Sequence, residues 1–332
     1  MGEVIRVGLD TSKHVFQVHG VDESERVVLS RQLSRGQLEK FFAALAPTVI
    51  GLEACGASHY WARMLRELGH GVRLLPPQYV KAYVKRGKND RIDAEAICEA
   101  MSRPLMRFVP VKSADEQAAA MLLSVRDMLV KQRTMLVNAI RSHAAEFGVI
   151  GAKGVGRITD VLTRAREGLP KLAWDLLSIL AGQLEVTEIQ LAHADKQLRA
   201  WHRENERSQR LATMPGIGPI GAMTLVLRVP DPTVFRSGRH FASWIGLTPR
   251  EHSTAGRQRL GKISREGDDA LRRLLVVGAT SVVKLAQRGR GPAWLLALLK
   301  RRPAKVVAVA LANKMARIAW AMMVSGEVYR AR

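Results

Sequence analysis

Apolar, β-favouring residues gather in three short runs near the start of the chain, VIRVGL at 4–9, VFQVHG at 15–20 and VVLSRQL at 27–33, separated by polar or turn-forming residues. β-favouring residues in such runs predict three successive strands, a meander. The period then changes. Ser34 stands where it can cap a helix through LEKFFAALA, VIGLE reads as a buried strand, HYWARMLREL as a second helix ending near Gly69, and VRLLP as a further strand.

A three-stranded meander followed by α-β-α-β is the order of the ribonuclease H-like fold, a mixed sheet flanked by helices. This first domain is expected to span 1–110, closing at RPLMRFVPVK. From about 114 to 146 the chain has no Pro or Gly, and its apolar residues recur at helical spacing beside Arg126, Lys131, Arg133 and Arg141, which predicts one long helix. Shorter helical patterns at 158–167 and 172–203 follow, so 111–204 reads as a helical connector, either an antiparallel arm or a three-helix bundle. The segment MPGIGPIGAMTLVLRV then opens a mainly α-helical region, 205–332, with helices expected at 238–244, 268–286 and 293–325. The fold class expected is therefore α/β plus α.

Charge points to a partner. The 332 residues carry 52 basic and 30 acidic side chains, net +22, the balance of a protein that meets a polyanion. Residues 201–332 hold 24 basic against 8 acidic residues, so the C-terminal region is the expected nucleic-acid grip. The two cysteines, Cys55 and Cys98, form no ligand set or disulfide framework and fit a reducing cytoplasm. MGEVIRVGLDTSK reads as a strand rather than a signal peptide, and Lys284, Lys305, Lys314 and Arg317 interrupt the apolar stretches near 271–287 and 305–323, which argues against bilayer-spanning helices. A cytoplasmic protein with no membrane partner is expected.

Asp10 ends the first strand and Glu53 a later one, each an acid where a buried run would otherwise continue. If those strands are neighbours, the two carboxylates repel unless a cation offsets them. Asp90 and Asp93 lie at i and i+3 at the start of a predicted helix and point from one face. Four such oxygen donors suit Mg²⁺ or Mn²⁺ and phosphodiester chemistry. Taken singly, each has a plain alternative: Asp90 as a helix cap, Asp93 as a complement to the helix dipole, Asp10 as a strand end. Glu95 and Glu99 read as helix-surface acids.

The pieces GLDTSK, GLEACG, LLPPQYVKAYVKRGKNDRIDAEAICEA and GLTPREHSTAG…RLGKISREGDDALRRLL resemble, in that order, the insertion-sequence transposases of the one-ten family, and the similarity covers nearly the whole chain. The resemblance implies a RuvC-like N-terminal domain with Asp10, Glu53, Asp90 and Asp93 as metal ligands, a coiled-coil connector and a C-terminal transposase domain. It further implies a nucleophilic serine at Ser253, a covalent phosphoserine intermediate, and recombination of donor and target DNA guided by a structured bridge RNA. Paired cuts in two DNAs imply a homo-oligomer, a dimer or tetramer.

Arg250, Arg257, Arg259 and Lys262 surround Ser253 in sequence and can neutralise a target phosphate; Thr254 is the alternative register for the attacking hydroxyl, and His252 a local base. PGIGP at 215–219 resembles the hairpin of helix-hairpin-helix modules, in which Gly216 and Gly218 would let backbone N–H groups approach a phosphate; a tight helix connection is the alternative. Arg236, Arg239, Arg272 and Arg273 are further candidate phosphate contacts, and Trp244 reads as core or interface. The rival functions are a metal-dependent junction nuclease without a covalent intermediate, a non-catalytic nucleic-acid scaffold, and a sugar kinase or actin-like ATPase, which shares a strand-initial GLDTSK-like turn but which the following acids and basic C-terminus of this chain fit poorly.

Overall fold

The computed structural model describes residues 3–85, 89–252, 254, 257 and 259–331. Packing divides the chain into two compact units, Met1–Gln117 and Ala118–Arg332.

The first unit is a five-stranded sheet with helices on both faces. β1 (Arg6–Thr11), β2 (Val15–Val21) and β3 (Val27–Ser34) form the antiparallel meander. After α1 (Arg35–Ala43), β4 (Val49–Glu53) joins the other side of β1 in parallel; after α2 (Ser58–Glu67), β5 (Gly71–Leu75) pairs in parallel with β4. The strand order is β3-β2-β1-β4-β5. α1 starts where Ser34 caps it, the Gln37 side chain accepting from the Ser34 backbone N–H at 2.9 Å.

Alternation decides the faces. Val7, Leu9, Phe16, Val18, Ile50 and Leu52 point to one side and pack with Leu38 and Phe42 of α1 and Trp61 and Leu65 of α2. The opposite side carries Gly8 and Asp10 of β1 with Gly51 and Glu53 of β4, and receives α4 (Asp90–Ala100), reached through the short α3 (Pro77–Val80). Beyond α4, Val109 bridges to Leu74, and Lys112 is held twice by α2: its N–H donates to His59 Nδ1 at 3.2 Å and its carbonyl accepts from Arg63 at 2.9 Å.

In the second unit, α7 (Lys171–Glu204) runs antiparallel to α5 (Ala114–Ala145), whose first four residues belong to the first unit, since partners on α7 fall in number as those on α5 rise. Arg126 pairs with Asp195 at 2.6 Å, Leu129 packs with Leu191 and Ala194, and Leu136 and Ile140 share a core with Leu184 and Leu177. α6 (Ile158–Gly168) closes that core through Ile158, Val161 and Ala165.

The C-terminal core gathers α8 (Glu206–Ala212), α9 (Pro219–Arg228), α10 (Gly238–Trp244), α11 (Asp269–Gln287), α12 (Ala293–Arg301) and α13 (Ala304–Ser325). Trp244 is part of it, stacked on Phe241 and against Phe235. Two features depart from the sequence reading. The single helix expected over 293–325 is broken at Arg302 and Pro303, because proline has no N–H to donate and its ring clashes with the preceding turn; Pro303 instead caps α13. A two-stranded antiparallel hairpin, β6 (Pro249–Glu251) and β7 (Leu260–Ile263), interrupts the helical region. α13 is long and apolar enough to cross a bilayer, but Val307, Leu311, Met315, Ala316 and Ala319 of that helix are buried in the C-terminal core.

Candidate active site

Two paired glycines bring the acids together. Gly8 and Gly51 are register partners across β1 and β4. A Cβ on Gly8 would stand 2.1 Å from the Ala94 carbonyl oxygen and 2.6 Å from the Cys98 nitrogen; one on Gly51 would stand 2.6 Å from the Met101 sulfur. Only bare backbone lets α4 lie this close to the sheet. Two residues further along each strand, on the same face, come Asp10 and Glu53, while the first turn of α4 supplies Asp90 and Asp93. Asn89 starts that turn, its side chain accepting from the Arg91 N–H at 3.0 Å, and the helix dipole favours acids there.

Asp10, Asp90 and Asp93 converge, with ligand oxygens all within 4.8 Å of one another. Glu53 lies outside that tight group but is its neighbour: Leu9 pairs with Leu52, so Asp10 and Glu53 come next in the same parallel ladder. Burial, and then the charges of Asp93 and Asp90, push the Asp10 carboxyl up to about 6. Burial, and then Asp10 and Asp93, also raise Glu53 above the usual carboxylate range. Among the described residues none of the four is held in a salt bridge. Hard oxygen donors crowded together, with no cation paired to them among the described residues, suit a divalent metal.

The other nearby acids are paired elsewhere, as their helix-surface reading requires. Glu95 bonds Lys85 at 2.5 Å and Glu99 bonds Arg103 at 2.5 Å. Sequence reasoning missed Gly8 and Gly51, although an isolated glycine inside a strand is itself a signal of close backbone approach. It also missed His19 of β2, the register partner of Gly8, which is buried with its Nδ1 unpartnered among the described residues; burial holds its pKa below the usual value.

The C-terminal candidates separate by environment. Ser253 lies outside the described residues. On either side of it in sequence, the His252 N–H donates to the Arg259 carbonyl at 2.8 Å, closing the β6–β7 hairpin. Arg236, Arg239, Arg257, Lys262 and Arg273 are exposed; Arg250 is exposed but bonded to the Ser264 carbonyl at 3.0 Å. Arg272 is different. It is 9% exposed, its guanidinium donates to the Ile245 and Glu266 carbonyls at 2.8 Å each and pairs with Asp269 at 2.7 Å. Those bonds make it a brace for the segment between α10 and α11, not a phosphate contact. In the Gly-rich turn, Gly216 (φ 87°) abuts Gly278 of α11, where a Cβ would meet a carbonyl at 2.7 Å, whereas Gly218 faces open space at the start of α9.

A sequence profile of DEDD-type transposases of the IS110 group matches residues 7–148, the stretch that carries all four acids, and the profile described as Transposase IS116/IS110/IS902 family matches residues 208–292. The chain belongs to the IS110/IS116 transposase family. This transposase is 55% identical to the putative transposase y4pF/y4sB of Sinorhizobium fredii, over 99% of this chain and 86% of that protein. It is 50% identical to the Pseudomonas aeruginosa protein named Probable family 20 transposase, over 98% of each chain. It is 39% identical to the transposase for insertion sequence element IS1328 of Yersinia enterocolitica, over 99% of each. DNA cleavage and joining is the activity of such a transposase, and the DEDD-type match agrees with divalent metal use at the acidic cluster.

Proposed function

We propose that this transposase moves an insertion sequence by cutting and rejoining DNA at a site built from two parts: Asp10, Glu53, Asp90 and Asp93 holding Mg²⁺ (or Mn²⁺), and Ser253 attacking the scissile phosphate. The observation that carries the metal half is the convergence of Asp10, Asp90 and Asp93 within 4.8 Å beside Glu53. When bound, the metal would supply Lewis-acid neutralisation of phosphate charge.

The protein's own residues divide the remaining work. The Ser253 oxygen forms a bond to phosphorus, the bond from phosphorus to the departing strand oxygen breaks, and the serine proton leaves to a nearby base, with the departing oxygen taking one up. Joining reverses the step with a different strand end, conserving the phosphodiester energy in the phosphoserine. Arg250, Arg257, Arg259 and Lys262 neutralise the phosphate. Arg236, Arg239, Arg273, Gly216 and Gly218 position nucleic acid without reading its bases.

The strand order β3-β2-β1-β4-β5 supports a RuvC-like, ribonuclease H-like assignment for residues 1–110, and the antiparallel α5 and α7 support a coiled-coil connector over 111–204 ahead of a transposase domain at 205–332. Donor and target DNA are selected by a structured guide RNA, and paired cuts require a homo-oligomer; the family resemblance supports both, and the net charge of +22 supports the nucleic-acid partners.

The test incubates the purified protein with RNA transcribed from the DNA flanking its gene, both DNAs and Mg²⁺, and follows recombinants together with protein–DNA adducts that survive denaturation. Recombinants and an adduct that vanish in Ser253→Ala are expected. An adduct that persists in Ser253→Ala overturns the serine assignment, and recombination without the RNA overturns the guide.

A further inference from the structure

We propose that the segment from Lys284 to Lys305 is a separate grip for duplex DNA, distinct from the arginines around residue 253. This segment holds seven basic residues and no acid. Arg288, Arg290, Lys300, Arg301, Arg302 and Lys305 are all exposed, and among the described residues none is in a salt bridge.

Folding explains only some of these charges. Lys300 and Arg301 occupy the last turn of α12 and Arg288 follows the end of α11, where the helix dipole welcomes cations. Arg290 and Arg302 also close helix ends, the Arg290 N–H donating to the Leu285 carbonyl of α11 at 3.1 Å and the Arg302 N–H to the Leu298 carbonyl of α12 at 3.0 Å, yet with Lys305 they stand at the start of the next helix. Arg290 precedes the start of α12, Arg302 precedes Pro303 at the start of α13, and Lys305 sits in the first turn of α13. The starts of α12 and α13 are positive helix ends, neither helix has an acid in its first turn, and of the three only Lys305 has no helix C-terminus beside it in sequence. Lys305 at a helix start and the mutual repulsion of six neighbouring cations both cost stability, a cost that an external polyanion removes.

The geometry favours a duplex. Gly291 packs on Ala286, folding the 288–292 turn back on α11, and Lys314 of α13 lies 3.9 Å above the Trp294 ring, so α12 returns alongside α13. The charges therefore cluster at the two ends of one rigid helix of nine residues, about 14 Å long. Phosphate rows flanking a major groove about 12 Å wide match that separation. Single-stranded RNA is bound by stacking bases on open aromatic faces, and Trp294, the one aromatic residue in this segment, already carries Lys314 on its ring.

The inference rests on the chain's meeting DNA and on neither the serine nor the guide RNA, so the test is a binding measurement without divalent metal. Fluorescence anisotropy of a labelled DNA duplex and a labelled RNA hairpin would be followed against salt for the full-length protein. The patch variant combines Arg290→Gln, Arg302→Gln and Lys305→Gln; the control of equal charge combines Arg26→Gln, Lys40→Gln and Arg66→Gln on the first unit. All six side chains are exposed, and matching thermal melts verify folding. The patch variant should bind duplex about tenfold more weakly near 0.15 M salt, with its log–log salt slope reduced by about 2 to 3, while the control keeps its slope. Equal losses in the two variants, no loss in the patch variant, or a loss confined to the RNA hairpin would each overturn the proposal.

Discussion

Gly8 and Gly51 stand opposite each other in the parallel ladder of β1 and β4, and the space left by their missing side chains is filled by α4. The same helix carries Asp90 and Asp93, so the depth at which α4 seats sets whether these acids reach Asp10. The geometry of the acidic cluster and core packing are thus one problem in this domain.

Gly8→Ala therefore drives a Cβ against the Ala94 carbonyl, backbone that cannot swing away. Overpacking of this kind costs about 2 kcal/mol and should also displace the two helix acids. Gly56→Ala, with open space around it, should stay within about 0.5 kcal/mol of wild type. Urea unfolding followed by circular dichroism, with DNA cleavage measured in parallel, checks both; a Gly8→Ala protein of unaltered stability and activity would refute the close seating of α4.

Asp10 gives a pH dependence whose sign follows from its environment. An acid whose folded pKa is raised to about 6, from 3.8, destabilises the fold when ionised; its penalty is absent below pH 3.8, grows between pH 4 and 6, and is constant above. Without divalent metal, Asp10→Asn should melt higher than wild type at pH 7.5, by about 1 kcal/mol once solvent screening of this half-buried group is allowed for. The gain should vanish at pH 4. Mg²⁺ at pH 7.5 should raise the melting temperature of wild type and leave the variant unmoved. Differential scanning fluorimetry at the two pH values measures this, and a variant that gains nothing at pH 7.5 contradicts it.

Arg272 and Arg273 are neighbours in sequence with opposite expected behaviour. Arg272→Ala strands the Ile245 and Glu266 carbonyls and should cost about 3 kcal/mol, and Arg272→Lys should rescue little because one ammonium cannot span the same acceptors. Arg273→Ala, at an exposed position, should be close to neutral in stability. Chemical denaturation of the three variants separates a brace from a surface contact.

The acids and the strands that carry them were legible in the sequence because each interrupts a strong pattern: Asp10 and Glu53 end apolar runs, and Asp90 and Asp93 open an amphipathic one. The spacing of Gly8 and Gly51 two residues before those acids carried the seating of α4, but pairing the two glycines requires the strand register, which a linear reading lacks. The β6–β7 hairpin was illegible for a different reason. Its residues are mostly exposed, so no alternation of buried and exposed positions marks it. Pro303 was visible, but the apolar spacing on either side of it resumes so smoothly that periodicity masked the break. The burial of Arg272 beside exposed Arg273 depends on the turn between α10 and α11 closing over it, a tertiary fact with no local signature.

The central claim is that Asp10, Asp90 and Asp93, with Glu53 beside them, form a divalent metal centre, and direct titration of the purified protein with Mn²⁺ tests it. Electron paramagnetic resonance counts free against bound ion without requiring activity, RNA or DNA. Wild type should bind Mn²⁺ in competition with Mg²⁺, and Asp10→Asn or Asp93→Asn should each weaken binding by about tenfold or more, since each removes a charged ligand worth more than about 1.4 kcal/mol. Mn²⁺ binding of equal affinity in wild type and both variants would contradict the assignment.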